Sequence, residues 1–158
     1  MNSSEARELR TAWIQTIERQ APNYFLTFCF GYQIRSLNAD RYMRKFFNAL
    51  QRKAHGHDWA SQFDRGWPIA FGFFEHPDTN PHYHVLARVD PEIGDVLELY
   101  GAEIWKKIAP RGQLHVEEVN SPHKVRSYAT KRLASRQRFD DVFVYSDTRV
   151  KPSPESDL

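Results

Sequence analysis

The stretch PIAFGFFEHPDTNPHYHVLARV, residues 68–89, decides the fold. Its two halves are rich in aromatic and β-branched residues, as strands are, and residues 77–81 between them are typical of a turn. We therefore predict a β-hairpin with strands over residues 68–75 and 82–89. If the turn centres on Asp78 and Thr79, Glu75 lies directly opposite His82, and directly opposed residues share a face of the sheet.

The rest of the chain alternates between helical and strand patterns on both sides of this hairpin. Amphipathic helices are predicted over 5–20, from 38 or 40 to about 54, from 91 to about 105, and from 122 to about 133, and further strands over 23–30, 112–119 and 141–145. The central β-α-β-β-α-β order is the ferredoxin-like plan. We predict an α+β, ferredoxin-like or RRM-like antiparallel sheet of four to five strands, with helices mainly on one face and an open active-site face.

Composition places the chain among ordinary globular proteins. It has 158 residues, of which 41% are hydrophobic and 27% charged. We predict a single domain over residues 1–145, with a helical N-terminal extension over 1–22 and a flexible tail over 146–158. No apolar run reaches the length of a membrane span, and residues 1–20 lack the apolar centre of a signal peptide, so we expect a cytoplasmic protein without a membrane partner. The lone Cys29 excludes an internal disulfide and a cysteine-rich zinc site.

The hairpin brings together side chains that can bind a metal. Alternation places His82 and His84 on one face of their strand, and the predicted register adds Glu75. Two imidazoles and one carboxylate suit Mg²⁺ or Mn²⁺ acting on phosphate, with Zn²⁺ or another transition metal as the alternative. His76 is an alternative ligand, but strict alternation would point it to the other face.

The same face carries other candidate contacts. Arg88 follows the two histidines with the same parity, and His115 faces this side from a later strand as a DNA contact, a neighbour of the metal ligands or a solvated group. Phe71 and Phe73 share the parity of Glu75. They are predicted either to stack bases of a single strand or to pack beneath the N-terminal or C-terminal helix.

A tyrosine on the last predicted helix is the candidate nucleophile. Tyr128 has Lys124 four positions before it and Lys131 and Arg132 three and four positions after it, and Arg126 is also on this helix. Nearby cations favour the phenolate and bind phosphate oxygens, which predicts DNA contacts for these basic residues. The alternative is a tyrosine half-packed beside the apolar stripe of its helix.

Three segments in this order resemble a known family. FLTF at 25–28, PHYHVL at 81–86 and YATK at 128–131 resemble the motifs of the HUH endonucleases. The pattern is most similar to the single-tyrosine rolling-circle replication initiators (Rep proteins) of plasmids and phages. Conjugative relaxases carry the tyrosine before the histidines, whereas Tyr128 follows them, and Arg132 stands where two-tyrosine initiators have a second tyrosine.

The resemblance implies a reaction and its participants. It implies metal-dependent nicking of single-stranded DNA at an origin or hairpin, with Tyr128 forming a 5′-phosphotyrosine and leaving a free 3′-OH. Lys131 would position the phosphate or a metal-bound water, the reverse reaction would rejoin ends, and a host helicase is the expected partner for unwinding. Two alternatives stay open: a transposase-like HUH enzyme and a non-catalytic RRM-like module that binds single-stranded nucleic acid.

Overall fold

The computed structural model describes residues 2–134, 136 and 139–149. The predicted helices and strands are confirmed, with ends shifted by a few residues. Their bounds in chain order are α1 Ser3–Gln20, β1 Tyr24–Cys29, α2 Ser36–His55, β2 Ile69–Glu75, β3 His82–Arg88, α3 Pro91–Ile108, β4 Gln113–Glu118, α4 Pro122–Leu133 and β5 Phe143–Tyr145. Ser121 caps α4, since its side chain accepts a hydrogen bond from the backbone N–H of Lys124.

The sheet has five strands in the order β4-β1-β3-β2-β5, and every neighbouring pair is antiparallel. The first four strands follow the ferredoxin-like order, and β5 extends the sheet beside β2. The predicted α+β, ferredoxin-like fold is confirmed. β3 is therefore the central strand, and β1 pairs with β3 on one side and with the edge strand β4 on the other.

One face of the sheet, the first face, packs against α2 and α3. Strand alternation directs Leu26, Phe28, Tyr83 and Val85 to this side, and all four are fully buried. Trp105 of α3 packs edge-on against Phe28, with ring centroids 4.9 Å apart. This apolar layer is the larger of the two cores in the described chain and supplies most of the burial that stabilises the fold.

The opposite face, the second face, is partly covered by α1 and α4. Ile17 of α1 and the α4 stripe of Val125, Ala129 and Leu133 pack onto it. The apolar sides of both helices need a surface to bury, and α2 and α3 already occupy the first face. The open face therefore narrows to the part that α1 and α4 leave uncovered.

This cover decides between the two expectations for Phe71 and Phe73. They are 4% and 0% exposed, and Trp13 of α1 packs edge-on against Phe71. Both belong to the core beneath the terminal helices. The prediction that they stack bases is wrong for this structure, because their strand positions lie under the helices.

The beginning of the predicted tail packs against the loop before β2. Arg149 lies over the rings of Phe63 and Trp67, at 4.5 Å and 4.3 Å from their centroids, and donates to the carbonyl oxygen of Gln62 at 2.7 Å. Arg149 thus contacts the domain, residues 150–158 of the predicted tail lie outside the described residues, and the flexible tail stays a prediction. Across the described ranges, every helix is too short or too polar to cross a membrane. The single domain over 1–145 stays a prediction.

Candidate active site

The hairpin between β2 and β3 brings the predicted metal ligands together. Glu75 pairs directly with His82, as the sequence predicted. The Oε2 atom of Glu75 lies 3.5 Å from Nε2 of His82 and 3.5 Å from Nε2 of His84. The three side chains are half-buried at the end of the second face that α4 leaves uncovered.

Hydrogen bonds hold both imidazole rings in this orientation. Nδ1 of His82 lies 2.7 Å from the carbonyl oxygen of Asn80, and because a carbonyl only accepts, Nδ1 carries the proton. Nδ1 of His84 lies 3.2 Å from the hydroxyl of Thr27 on β1. Each ring thus uses Nδ1 for support and turns Nε2 towards Glu75. Metal-binding histidines are oriented in this way.

A third imidazole joins the cluster from the turn. His76 has a left-handed backbone, with φ of 53°, and its ring stacks on that of His82 with centroids 5.4 Å apart. One ligand atom each of Glu75, His76 and His82 lie within 4.8 Å of one another. The expectation that His76 points to the other face is wrong, because β2 ends at Glu75 and the positive φ breaks the alternation. Such a backbone costs about 1–3 kcal/mol and is concentrated at functional sites.

The protonation of His84 also favours ligand binding. Burial lowers its pKa to about 4, and the Arg132 guanidinium acts in the same direction, while Glu75 opposes them. The imidazole of His84 is therefore neutral at neutral pH. A histidine must be neutral to bind a metal, so the environment of His84 keeps it in the binding form.

A divalent transition metal fits this donor set. Ligand atoms about 2.1 Å from a common ion lie about 3.0–3.5 Å from each other. The 3.5 Å separations between Glu75 and the two strand histidines are close to that range, and the group whose ligand atoms all lie within 4.8 Å of one another consists of Glu75, His76 and His82. Several imidazoles with one carboxylate suit Mn²⁺ or Zn²⁺ better than Mg²⁺, which prefers oxygen ligands.

Arg132 forms an ion pair with the same carboxylate. Its Nη1 atom lies 3.1 Å and 3.3 Å from the two oxygens of Glu75. The Arg132 side chain is 13% exposed, and its Nε atom is buried and has no hydrogen-bond partner among the residues that the structure describes. The sequence predicted a DNA contact here. In the structure Arg132 instead pairs with Glu75. It lies one turn of α4 beyond Tyr128, and this position places it over the end of β2.

A basic cleft opens beside this cluster. It has a volume of about 450 Å³ and is lined by Phe74, Glu75, His76, Lys131, Arg132 and Arg136. Lys131 is exposed on its rim, where the resemblance to Rep proteins would place a phosphate-binding lysine. Arg132 is paired with Glu75 and Arg136 with Asp141 at 3.1 Å, and the exposed Lys131 is the cation best placed to meet an anionic ligand such as a phosphodiester.

The ring of Tyr128 lies near the cluster and is connected to it through an aromatic residue. Phe25 of β1 stacks on Tyr128 with centroids 4.2 Å apart and on His84 with centroids 5.5 Å apart. The side chain of Tyr128 is half-buried by this contact. The structure therefore brings the candidate nucleophile to the same face as the histidines, at the edge of the helical cover.

The hydroxyl of Tyr128 is directed to β4. It donates a hydrogen bond to Oε1 of Glu117 at 3.0 Å, and in the described part of the chain it makes no hydrogen bond with Glu75, His82 or His84. Burial and then Glu117 raise the pKa of Tyr128, and only Arg132 lowers it. The expectation that surrounding cations favour the phenolate is wrong here, because burial and a carboxylate outweigh them.

The remaining predicted DNA contacts separate into two regions. His115 is exposed on β4 directly opposite Thr27, beside the cluster. Arg88 lies at the far end of β3, where it lines a cavity of about 590 Å³ together with Arg126. Arg126 also pairs with Glu18 of α1 at 3.1 Å. Lys124 is exposed on α4 near the same end.

Several residues of the site were not assigned a role from the sequence. Thr27 was recognised only as part of the first-strand motif, and Asn80 only as a turn residue. Their support of the histidines depends on strand pairing and on the turn conformation. Arg136 reaches the cleft from beyond α4. A search for polar side chains of equal parity on the paired strands would have selected Thr27.

Comparisons of the chain with protein-family models, with curated proteins and with solved structures found no match.

Proposed function

We propose that the protein is a metal-dependent endonuclease and strand transferase for single-stranded DNA, of the HUH type that its motifs resemble. The observation that carries this proposal is the convergence of His82 and His84 on one carboxylate oxygen of Glu75 at 3.5 Å, with both Nδ1 atoms held by other groups. The basic cleft and Tyr128 border the same cluster. Each of these features occurs singly in proteins that cleave no DNA, whereas metal-assisted cleavage by a tyrosine nucleophile would use all of them together.

Glu75, His82 and His84, with His76 beside them, would hold a divalent cation. Their nitrogen-rich donor set makes Mn²⁺ the expected ion, with Mg²⁺ or Zn²⁺ as alternatives. Such a cation supplies a Lewis acid that withdraws charge from a phosphate oxygen. The imidazole of His84 is neutral and the ring of His82 is held by Asn80, so both histidines are in a form that can bind the cation.

Tyr128 is the proposed nucleophile. Its hydroxyl oxygen attacks the phosphorus, the bond from phosphorus to the 3′ oxygen breaks, and a 5′-phosphotyrosine and a free 3′-OH result. Lys131 and Arg132 bind the non-bridging oxygens from the cleft. The phosphodiester energy is kept in the tyrosine ester, so the reverse attack by a 3′-OH rejoins the strand.

The alternative of a non-catalytic RRM-like module loses its main support. Such a module requires exposed aromatic residues on the sheet to stack bases. Phe71 and Phe73 are buried beneath α1 and α4. The nuclease proposal instead places the strand over the uncovered region near Thr27 and His115. The proposed substrate is a single-stranded origin or hairpin site in the cytoplasm, with a host helicase to expose it.

Incubation with a labelled library of single-stranded and hairpin oligonucleotides in Mn²⁺ tests the proposal. A covalent protein–DNA adduct should form with the wild type and be lost in Tyr128→Phe. Tyr100→Phe is the control, because Tyr100 is an exposed tyrosine on α3 at the other face. An adduct that persists in Tyr128→Phe would show that another residue is the nucleophile. Absence of any adduct across metals and substrates would overturn the nuclease proposal.

A further inference from the structure

Glu117 is positioned on the reacting atom of the proposed nucleophile. It lies on β4 with Phe25 as its partner on β1, so its side chain shares the second face with the ring of Tyr128. Its Oε1 atom accepts the hydrogen bond of the Tyr128 hydroxyl at 3.0 Å. Among the described residues, Glu117 accepts no other side-chain hydrogen bond and forms no ion pair, so this carboxylate is directed to the phenol alone.

A phenol at this position needs a proton acceptor to react. The ordinary pKa of tyrosine is near 10, and burial and Glu117 raise the pKa of Tyr128 further. The hydroxyl therefore remains protonated at neutral pH. The surrounding charges are Glu117 from β4 and Arg132 from its own helix, and Arg132 is engaged with Glu75. Glu117 is the acceptor already within hydrogen-bond distance.

We propose that Glu117 is the general base of the cleavage reaction, a catalytic role that rests on the proposed function. As the Tyr128 oxygen bonds to phosphorus, its proton passes to Oε1 of Glu117. The bond from phosphorus to the 3′ oxygen breaks, and that oxygen takes a proton from water. In rejoining, the attacking 3′-OH releases its proton to water, and protonated Glu117 returns its proton to the departing Tyr128 oxygen. The same carboxylate thus serves both directions.

The alternative is that Glu117 only holds the ring of Tyr128. The variant Glu117→Gln separates the two roles, because its amide oxygen can still accept the hydrogen bond but cannot take the proton. Glu118→Gln is the matched control, since Glu118 is the next residue on β4 and points away from the second face. Chemical denaturation of each variant verifies that it folds as the wild type does.

The experiment measures the single-turnover rate of adduct formation with an oligonucleotide that the wild type cleaves, in saturating Mn²⁺. Glu117→Gln should react about 100-fold more slowly, with unchanged affinity for the oligonucleotide, and Glu118→Gln should react like the wild type. The rate of Glu117→Gln should recover as pH rises, because hydroxide replaces the missing base. Fluorescence anisotropy measures the affinity separately from the rate.

Two results would overturn this assignment, and they differ from failure of the proposed function. A Glu117→Gln rate equal to the wild type would show that Glu117 only positions the ring. A faster rate would show that it restrains Tyr128. If the wild type itself forms no adduct, the nuclease proposal and the role of Glu117 fail together.

Discussion

The two faces of the sheet are built from the same strands and differ in what lies on them. On the first face, Tyr83 and Val85 of β3 are sealed beneath α2 and α3. On the second face, His82 and His84 of the same strand lie where the cover of α4 ends, and hydrogen bonds together with ring stacking fix their positions. Stability is thus concentrated on one face and chemistry on the uncovered part of the other.

The largest effect should come from the first face. Phe28 is fully buried and packs edge-on against Phe46, with ring centroids 4.8 Å apart. Phe28→Ala should lower the free energy of unfolding by about 3–5 kcal/mol through lost burial and a cavity. His82→Ala on the second face should lower it by less than about 1 kcal/mol. Urea denaturation measures both, and a larger loss for His82→Ala would remove the distinction between the faces.

Substitutions of the histidines on the second face should lower the affinity for metal rather than the stability of the fold. His82→Ala should weaken Mn²⁺ binding by about 100-fold, because changes around metal sites that leave the ligands intact already cost about 10–100-fold. Titration calorimetry on the apo protein measures this. His57→Ala is the control, since the side chain of His57 is 96% exposed and distant in sequence from the cluster. Equal affinity in His82→Ala and the wild type would exclude His82 as a ligand.

A smaller loss of Mn²⁺ affinity is expected for His76, which lies in the turn, than for the histidines on β3. His76→Asn keeps a residue that tolerates the left-handed backbone and removes the imidazole. Mn²⁺ affinity should fall by about tenfold, with no change in the free energy of unfolding in EDTA. The comparison with His84→Asn shows which histidine completes the site. Unchanged affinity in His76→Asn would reduce His76 to a stacking partner of His82.

The smallest effect concerns the pH dependence of stability at the end of α2. The side chain of His55 is 4% exposed, and burial, together with Arg65, lowers its pKa. The unfolded chain therefore binds a proton more readily than the folded one below about pH 6.5, so the free energy of unfolding falls as pH drops. Between about pH 7 and about pH 5 the free energy of unfolding should fall less in His55→Gln than in the wild type, by a difference of about 1 kcal/mol or less. Urea denaturation at several pH values measures it. Identical profiles for His55→Gln and the wild type would contradict the prediction.

Local sequence patterns were sufficient to predict the helices, the strands and the hairpin between β2 and β3. The alternation in residues 82–88 and the turn residues between the strands specified the pairing of Glu75 with His82. They were not sufficient for His76, because alternation ends with the strand and a single left-handed residue redirects the side chain. They also left open whether Phe71 and Phe73 would be covered, since that depends on where α1 packs.

The sequence by itself determined the order of the strands and helices and which side of each strand its residues face, because these follow from interactions between near neighbours in the chain. Only the tertiary structure decided that α1 and α4 bury part of the second face, that Arg132 pairs with Glu75, and that the hydroxyl of Tyr128 meets Glu117. Packing joins residues far apart in sequence, and their burial and charge set the pKa of each group. The predicted metal ligands and the predicted nucleophile therefore lie on one face. The residues that they contact, such as Arg132 for Glu75 and Glu117 for Tyr128, were decided by the tertiary structure.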